Sequence, residues 1–215
     1  MSRPPSPCRP AQPGSTRRPR PARSSATIAA RHDDAADIDN HLTPPSSPTA
    51  THNPRLIVTH RDAQHLAALQ RGDLISPLRG LVTSDRPYIG ASAGTNMAAP
   101  TVKTTNDMPI VQPAGFRALA LVPFQINCHY LDADPTPRHA GETRELRLRE
   151  YLDENETPVL ALREGTYLRV DRADAGGTVS AHIGGTAVGV AKGPAVLFRR
   201  EAEPAEVSGD IAELF

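Results

Sequence analysis

Ser92 lies inside Gly90-Ala91-Ser92-Ala93-Gly94, a Gly-x-Ser-x-Gly pattern that can seat a nucleophilic hydroxyl on a sharp strand-to-helix turn. The reason for the spacing is steric: small residues on both sides let the backbone take a strained turn, so the hydroxyl projects at a sheet edge with backbone N–H groups close by. A serine hydroxyl near its free pKa is a poor nucleophile and needs an adjacent base, whose own tautomer an acceptor must fix. His129 has the type and the place for the base, and Glu164 for the acceptor. The apolar run Leu119-Ala120-Leu121-Val122-Pro123-Phe124-Gln125-Ile126 leads into Asn127-Cys128-His129, and Pro158-Val159-Leu160-Ala161-Leu162 leads into Arg163-Glu164-Gly165. Sites in open α/β sheets gather beyond the carboxyl ends of strands, where these three residues would sit together. His139, in a Pro-rich loop, and His182, among C-terminal glycines, read instead as solvated loop residues, and Asp107 beside Asn106 as a turn former. The chain order serine, histidine, acid departs from the α/β-hydrolases, in which the acid precedes the histidine.

These residues need a frame to hold them. Leu56-Ile57-Val58-Thr59 predicts a short buried strand, and a helix follows through Ala63, Leu66, Leu69 and Gln70 to Gly72. A second helix is predicted over Leu78 to Thr83, Tyr88-Ile89-Gly90 as the strand that feeds Ser92, and a helix from Ala93 to Ala98. The alternation of strand and helix implies a mostly parallel sheet with covered faces. Residues Gly141 to Glu154, with Leu146, Leu148 and Leu152 among Glu and Arg, predict a one-sided helix in which Arg147 faces Glu150 and Arg149 faces Glu145. After Glu164 the pattern becomes short strands with glycine breaks, at Thr166 to Val170, Thr178 to His182, Ala187 to Val190 and Ala195 to Arg199, which predicts an antiparallel C-terminal region.

Composition bounds the function classes. The chain has 215 residues, 38% apolar and 22% charged, enough for one modest domain. No apolar run approaches the roughly 20 residues of a membrane-spanning helix. The formal net charge of zero hides a division: seven arginines and no acid precede Asp33, which leaves the remainder near −7. An acidic body has no general nucleic-acid footprint. Residues 1–53, with Arg-Pro-Pro-Ser-Pro at 3–7 and Arg-Arg-Pro-Arg-Pro at 17–21, form a Pro-, Arg- and Ser-rich tail expected to be disordered, ahead of a catalytic domain over 54–215. Such a start is also Arg-rich and acid-poor like an organelle transit peptide, but its prolines oppose the amphipathic helix those peptides form. Cys8 and Cys128 stand far apart, with no C-x-x-C pair, so a reducing, cytoplasmic compartment is the default. No His and carboxylate cluster has metal-ligand spacing.

Taken in order, Tyr88-Ile-Gly-Ala-Ser-Ala-Gly-Thr-Asn96, Thr104-Thr-Asn-Asp-Met-Pro-Ile-Val111, Leu121-Val-Pro-Phe-Gln-Ile-Asn127, His129, Gly141-Glu-Thr-Arg144 and Leu162-Arg-Glu-Gly165 resemble peptidase E, or alpha-aspartyl dipeptidase. The resemblance covers about residue 66 to the end. It implies a fold like the class I glutamine amidotransferases, with serine in place of their elbow cysteine, and hydrolysis of dipeptides that begin with aspartate. It further implies Ser92 as nucleophile, His129 as general base, and Glu164 as the third member, with Asp107 as the second candidate for that acid. Arg144 would hold the substrate carboxylate, a part for which the planar guanidinium is suited. No acid lies three or four residues from Arg144, which leaves it without an intrahelical partner. Neither metal nor cofactor is implied; the partner is a small dipeptide.

One segment departs from the family. Where its members have a Gly-Gly-Gly-Asn-Thr-type turn that contributes to the oxyanion hole, this chain reads Thr59-His60-Arg61-Asp62-Ala63-Gln64, and the family's N-terminal strands give way to the tail. Bulky residues do not readily supply the positive φ or close approach such glycines allow. Losing one oxyanion donor costs about 10²- to 10³-fold in rate. The departure admits a remnant that has lost catalysis, or residues 1 to about 64 translated from another frame or start site. A cyanophycinase-like serine exopeptidase is the alternative within the enzyme class.

Overall fold

The computed structural model describes residues 24–30, 56–58, 62–84, 86–133, 141–172 and 179–215. Helix α1, Asp62–Arg71, turns Ala63, Leu66 and Ala67 inward at helical spacing, with Asp62 and Arg71 at the ends that favour their charges. Helix α2, Ile75–Thr83, starts three residues earlier than the sequence suggested, because Pro77 is tolerated in a first turn. Strand β3, Tyr88–Ala91, is buried throughout and runs into helix α3, Ala93–Met97. The predicted α/β class and the elements leading into the serine turn thus stand.

Two sheets share one apolar core. The first has the order β10-β7-β6-β1-β3-β2, made of β1 (Ser24–Ala30), β2 (Leu56–Val58), β3, β6 (Thr166–Arg172), β7 (Val179–Gly185) and β10 (Gly209–Asp210). β3 pairs parallel with both β1 and β2, whereas β1 pairs antiparallel with β6. The second sheet, β4-β5-β8-β9, consists of Gln125–Tyr130, Val159–Arg163, Ala195–Phe198 and Ala205–Val207; β4 and β5 are parallel, and the remaining pairs antiparallel. The strands that lead to Ser92, His129 and Glu164 therefore belong to parallel pairs, and the antiparallel C-terminal region is present as expected. On β6, Leu168 and Val170 face the core while Tyr167 and Arg169 face solvent, the alternation of a sheet with one wet face. β5 is buried on both faces: Leu160 and Leu162 join the shared core, and Val159 and Ala161 pack with Leu148 and Leu152 of helix α4, Arg144–Glu154.

Four expectations need correction. Ser24–Ala30, inside the tail expected to be disordered, is strand β1; it lies in the proline-free stretch 22–43, and Thr27-Ile28 supply β-branched residues. The rest of the tail lies outside the described residues. In the apolar run Leu119 to Phe124, Leu119, Leu121, Val122 and Phe124 are buried, but the run is not a strand. The N–H groups of Leu119, Leu121 and Val122 bond the carbonyls of Met97 and Ala98 at the end of α3, Ala120 takes φ 49°, and Pro123 has no N–H to give a ladder. The strand begins only at Gln125 and continues to Tyr130, so His129 lies within it. Ala187 to Val190 is a turn rather than a strand, with Gly189 at φ 78°. Arg147 pairs with Glu142 rather than Glu150, while Arg149 pairs with Glu145 as predicted.

Candidate functional site

Ser92 sits at φ 51° and ψ −114°, a conformation that a residue with a Cβ adopts only where its surroundings enforce it. The enforcement is visible. A Cβ on Gly90 would lie 2.5 Å from the Gly94 carbonyl oxygen, so only glycine lets strand and helix approach this closely. The Tyr88 hydroxyl donates to that same carbonyl at 2.6 Å, and the Thr95 hydroxyl donates to the Gly90 carbonyl at 3.2 Å. The N–H groups of Thr95 and Asn96 bond the Ser92 carbonyl and start α3. The turn read from the sequence is therefore a strained, braced elbow.

The end of β4 comes up beside it. The buried Cys128 thiol donates to the Ser92 carbonyl at 3.3 Å, and burial pushes that thiol well above its ordinary pKa, so at neutral pH it stays a neutral donor. His129 follows in a bulge. Asn127 is opposite Ala161, but Tyr130 is opposite Arg163, so β4 carries one residue more than β5 between those pairs. The extra residue shows in the packing: Ile126 and Cys128 face the shared core, yet Tyr130 lies with Val159 and Ala161 on the other side. His129 takes φ 55° in this bulge, and its Nδ1 meets Glu164 Oε2 at 2.5 Å. With a carboxylate on Nδ1, that nitrogen carries the proton and Nε2 is the acceptor, the tautomer a general base requires.

Glu164 is fixed from both sides. Its carbonyl accepts from the Val188 N–H at 3.0 Å, and Gly165 turns the chain at φ 81° where a Cβ would lie 2.5 Å from the Thr186 carbonyl oxygen. Preceding it, Arg163 is buried and gives all five guanidinium N–H groups to Asp132, Glu206 and the Gly193 carbonyl. These bonds, with one from Lys192, hold the Asp132 carboxyl down at about 2 against an ordinary 3.8. A depressed carboxylate stabilises the fold above its unfolded pKa and loses that contribution as pH falls through the folded value. The unfolding free energy of the wild-type chain minus that of Asp132→Asn should accordingly shrink by about 2 kcal/mol between pH 5 and pH 2, as followed by denaturant titration at each pH. A difference independent of pH over that range would contradict this coupling.

The loop with Asp107 is stitched to β4. Thr104 Oγ1 donates to the Ile126 carbonyl, Asn106 Nδ2 to the Cys128 carbonyl at 2.7 Å, and Asn127 Nδ2 to both the Thr104 carbonyl and Asn106 Oδ1. Asp107 itself is exposed, its N–H bonded to Thr105 Oγ1. Glu164 is the acid seen in contact with His129, through Nδ1. Arg144 opens α4 after the Thr143 cap, is half-buried, and forms no ion pair among the described residues. Burial lowers its pKa and Arg147 lowers it further, while the nearby Cys128 and Asp107 groups oppose the change. Asp107 and Cys128 are therefore its electrostatic neighbours, at the β4 end of the site.

Sequence reading passed over Asp62. This carboxylate is 1% exposed, accepts from Asn96 Nδ2 of α3 at 2.7 Å, and is pushed up by burial. Its position within the segment that departs from the family hid it; Thr59, His60 and Arg61 lie outside the described residues, as does His139. His182 is exposed on β7, opposite Asp210 and away from the elbow. Among the described residues no group of His, Cys, Asp and Glu could hold a metal, and no helix is long and apolar enough to cross a membrane.

Residues 62–176 match the model of peptidase family S51. The chain is 54% identical over 153 residues to a Streptomyces coelicolor protein named Peptidase E, a match covering 69% of this chain and 57% of that one. It is 53% identical over 106 residues to a Drosophila melanogaster protein named "Probable alpha-aspartyl dipeptidase", covering 49% and 44% of the two chains. A solved peptidase from an acI-B1 actinobacterium aligns with 73% of this chain and 58% of its own at 14% identity, with a TM-score of 0.43. The chain spans about half the length of the curated relatives it matches. With its braced serine elbow and a family match over more than half its length, the chain belongs to peptidase family S51.

Proposed function

We propose that the chain is a serine-type dipeptidase that hydrolyses dipeptides with an N-terminal aspartate, through an acyl-enzyme on Ser92. The observation that carries this reading is the His129 Nδ1 to Glu164 Oε2 contact of 2.5 Å at the end of the strand whose Cys128 bonds the Ser92 carbonyl. The names of the relatives supply the substrate class.

Ser92 Oγ attacks the peptide carbonyl carbon while its proton passes to His129 Nε2. The Ala93 N–H, next after the nucleophile at the start of α3, supports the oxyanion. Collapse breaks the C–N bond, and the Nε2 proton goes to the leaving amine. Water then repeats the sequence on the aspartyl ester: its proton goes to Nε2, its oxygen to the carbonyl carbon, and Ser92 recovers its proton as aspartate leaves. Glu164 holds the tautomer and stabilises the charged imidazole without taking the proton. Arg144 pairs with the aspartyl carboxylate, and its half-buried guanidinium, which forms no ion pair among the described residues, supports that part.

Arg144→Ala is expected to lower kcat/KM for Asp-Leu by about 10²-fold while changing that for Ala-Leu by less than about threefold. Steady-state assays on both dipeptides check it. Equal losses on both would remove Arg144 from substrate selection. A remnant without catalysis is the competing reading, and aspartate release by the folded wild-type chain removes that.

A further inference from the structure

Arg163 stands one residue before the proposed triad acid, and its side chain is only 2% exposed. Burying a guanidinium is unfavourable unless every donor is met by a partner. Here each one is. Nε and Nη2 form a fork on Asp132 at 2.8 Å each, Nη1 and Nη2 form a second fork on Glu206 at 2.7 Å each, and Nη1 also donates to the Gly193 carbonyl at 2.6 Å. The guanidinium carbon lies 5.8 Å from the centroid of the Tyr130 ring, and Lys192 Nζ adds a bond to Asp132 at 2.7 Å.

The partners come from three parts of one sheet end. Tyr130 and Asp132 belong to the end of β4 and the residues after it, Gly193 to the approach to β8, and Glu206 to β9. Tyr130 and Arg163 are also a register pair across β4 and β5. The residue before Tyr130 is His129, and the residue after Arg163 is Glu164. Successive residues on strands project to opposite faces. On β5 Arg163 continues the face of Val159 and Ala161, where Tyr130 also packs, while Leu160, Leu162 and Cys128 face the shared core; the cluster therefore grips one face of the two strand ends, and Glu164, the residue after Arg163, meets His129 from the bulge. His129 has a left-handed backbone in a bulge, a conformation that persists only when its surroundings over-determine it.

We propose that Arg163 is a positioning residue: by tying Tyr130 and Asp132 to β5, β9 and Gly193, it holds the bulged end of β4 so that His129 Nδ1 stays in hydrogen-bond contact with Glu164. The proposal rests on the reading of His129 and Glu164 as base and acid of the proposed dipeptidase. Apolar side chains of the same volume often stabilise as well as a buried ion cluster does, so two carboxylate forks on one arginine are best accounted for by the geometry they impose.

The test uses the full chain with Arg163→Lys, whose ammonium engages one carboxylate at a time, and Glu206→Gln, which leaves the shape intact at a half-exposed position and folds where a core change does not. The readouts are the thermal midpoint, kcat and KM on Asp-Leu, and the low-field proton signal of His129 Nδ1–H, assigned by its loss in His129→Gln. Arg163→Lys is expected to lower kcat about tenfold with KM within about twofold, and to broaden the Nδ1–H signal; Glu206→Gln moves both in the same direction by about threefold in kcat. A folded variant with wild-type kcat and an unchanged signal overturns the proposal. So does a fall in kcat with the signal unchanged, because the arginine then acts otherwise than through His129. If the wild-type chain lacks turnover, the dipeptidase reading fails and the proton signal alone still decides whether Arg163 positions His129.

Discussion

Ser92→Ala is expected to lower kcat/KM for Asp-Leu by about 10⁴-fold or more, to background hydrolysis, without lowering the thermal midpoint. The size follows from the part assigned to the hydroxyl: without it no acyl-enzyme forms, and only binding and oxyanion support remain. The unchanged stability follows from the backbone. At φ 51° and ψ −114° the strain arises from the Cβ, which alanine retains, and the bracing bonds from Tyr88, Thr95 and Cys128 all involve main-chain carbonyls. Ser92→Gly separates the two effects. It should be as inactive as alanine yet more stable by about 1 kcal/mol, because glycine relieves the conformation. Calorimetry on the three proteins beside the assay checks this, and a glycine variant no more stable than alanine would mean that the elbow stores no strain.

Glu164→Gln should lower kcat by about 10³- to 10⁴-fold with little change in KM. The carboxylate only accepts at the 2.5 Å contact, and so it keeps the proton on Nδ1 of His129. A glutamine amide can donate there instead, which turns Nδ1 into the acceptor and moves the proton to Nε2, where it blocks the transfer from Ser92. The fold should persist, since Glu164 is held by its own carbonyl through Val188 and by the turn at Gly165. Asp107→Asn is the matching control: its carboxylate is exposed, and a loss below about tenfold is expected. Steady-state kinetics on both variants discriminate the two acids. A larger loss in Asp107→Asn than in Glu164→Gln would reverse their parts.

The elbow was legible in the sequence because its requirement is local. Gly90 must lack a Cβ where the Gly94 carbonyl approaches, and any chain making that turn must place small residues at those positions. Helices α1 and α4 were legible for a similar reason, through the spacing of Ala63, Leu66 and Leu69 and of Leu146, Leu148 and Leu152, of which only Leu146 proves exposed. The bulge that carries His129 was not. Gln125-Ile126-Asn127-Cys128-His129-Tyr130 alternates equally well without an extra residue, and only pairing with β5 and the pull of Arg163 on the far face decide where the alternation breaks. Strand β1 was illegible because its partners are β3 and β6, far along the chain, while its neighbours in sequence are Arg and Pro. Leu119 to Phe124 was misread because apolar content reports burial, not pairing; its N–H groups had already been claimed by the end of α3. Arg163 was passed over because Asp132, Gly193 and Glu206 lie at separations that no local pattern connects.

The central claim is that this elbow, His129 and Glu164 act together on a peptide bond following aspartate. The most direct measurement is release of free aspartate from Asp-Leu by folded wild-type chain, with Ala-Leu and the Ser92→Ala variant run alongside. Aspartate release that exceeds hydrolysis of Ala-Leu by about 10²-fold and vanishes with Ser92→Ala is the predicted result. No release by well-folded protein, or release that survives Ser92→Ala, would contradict it.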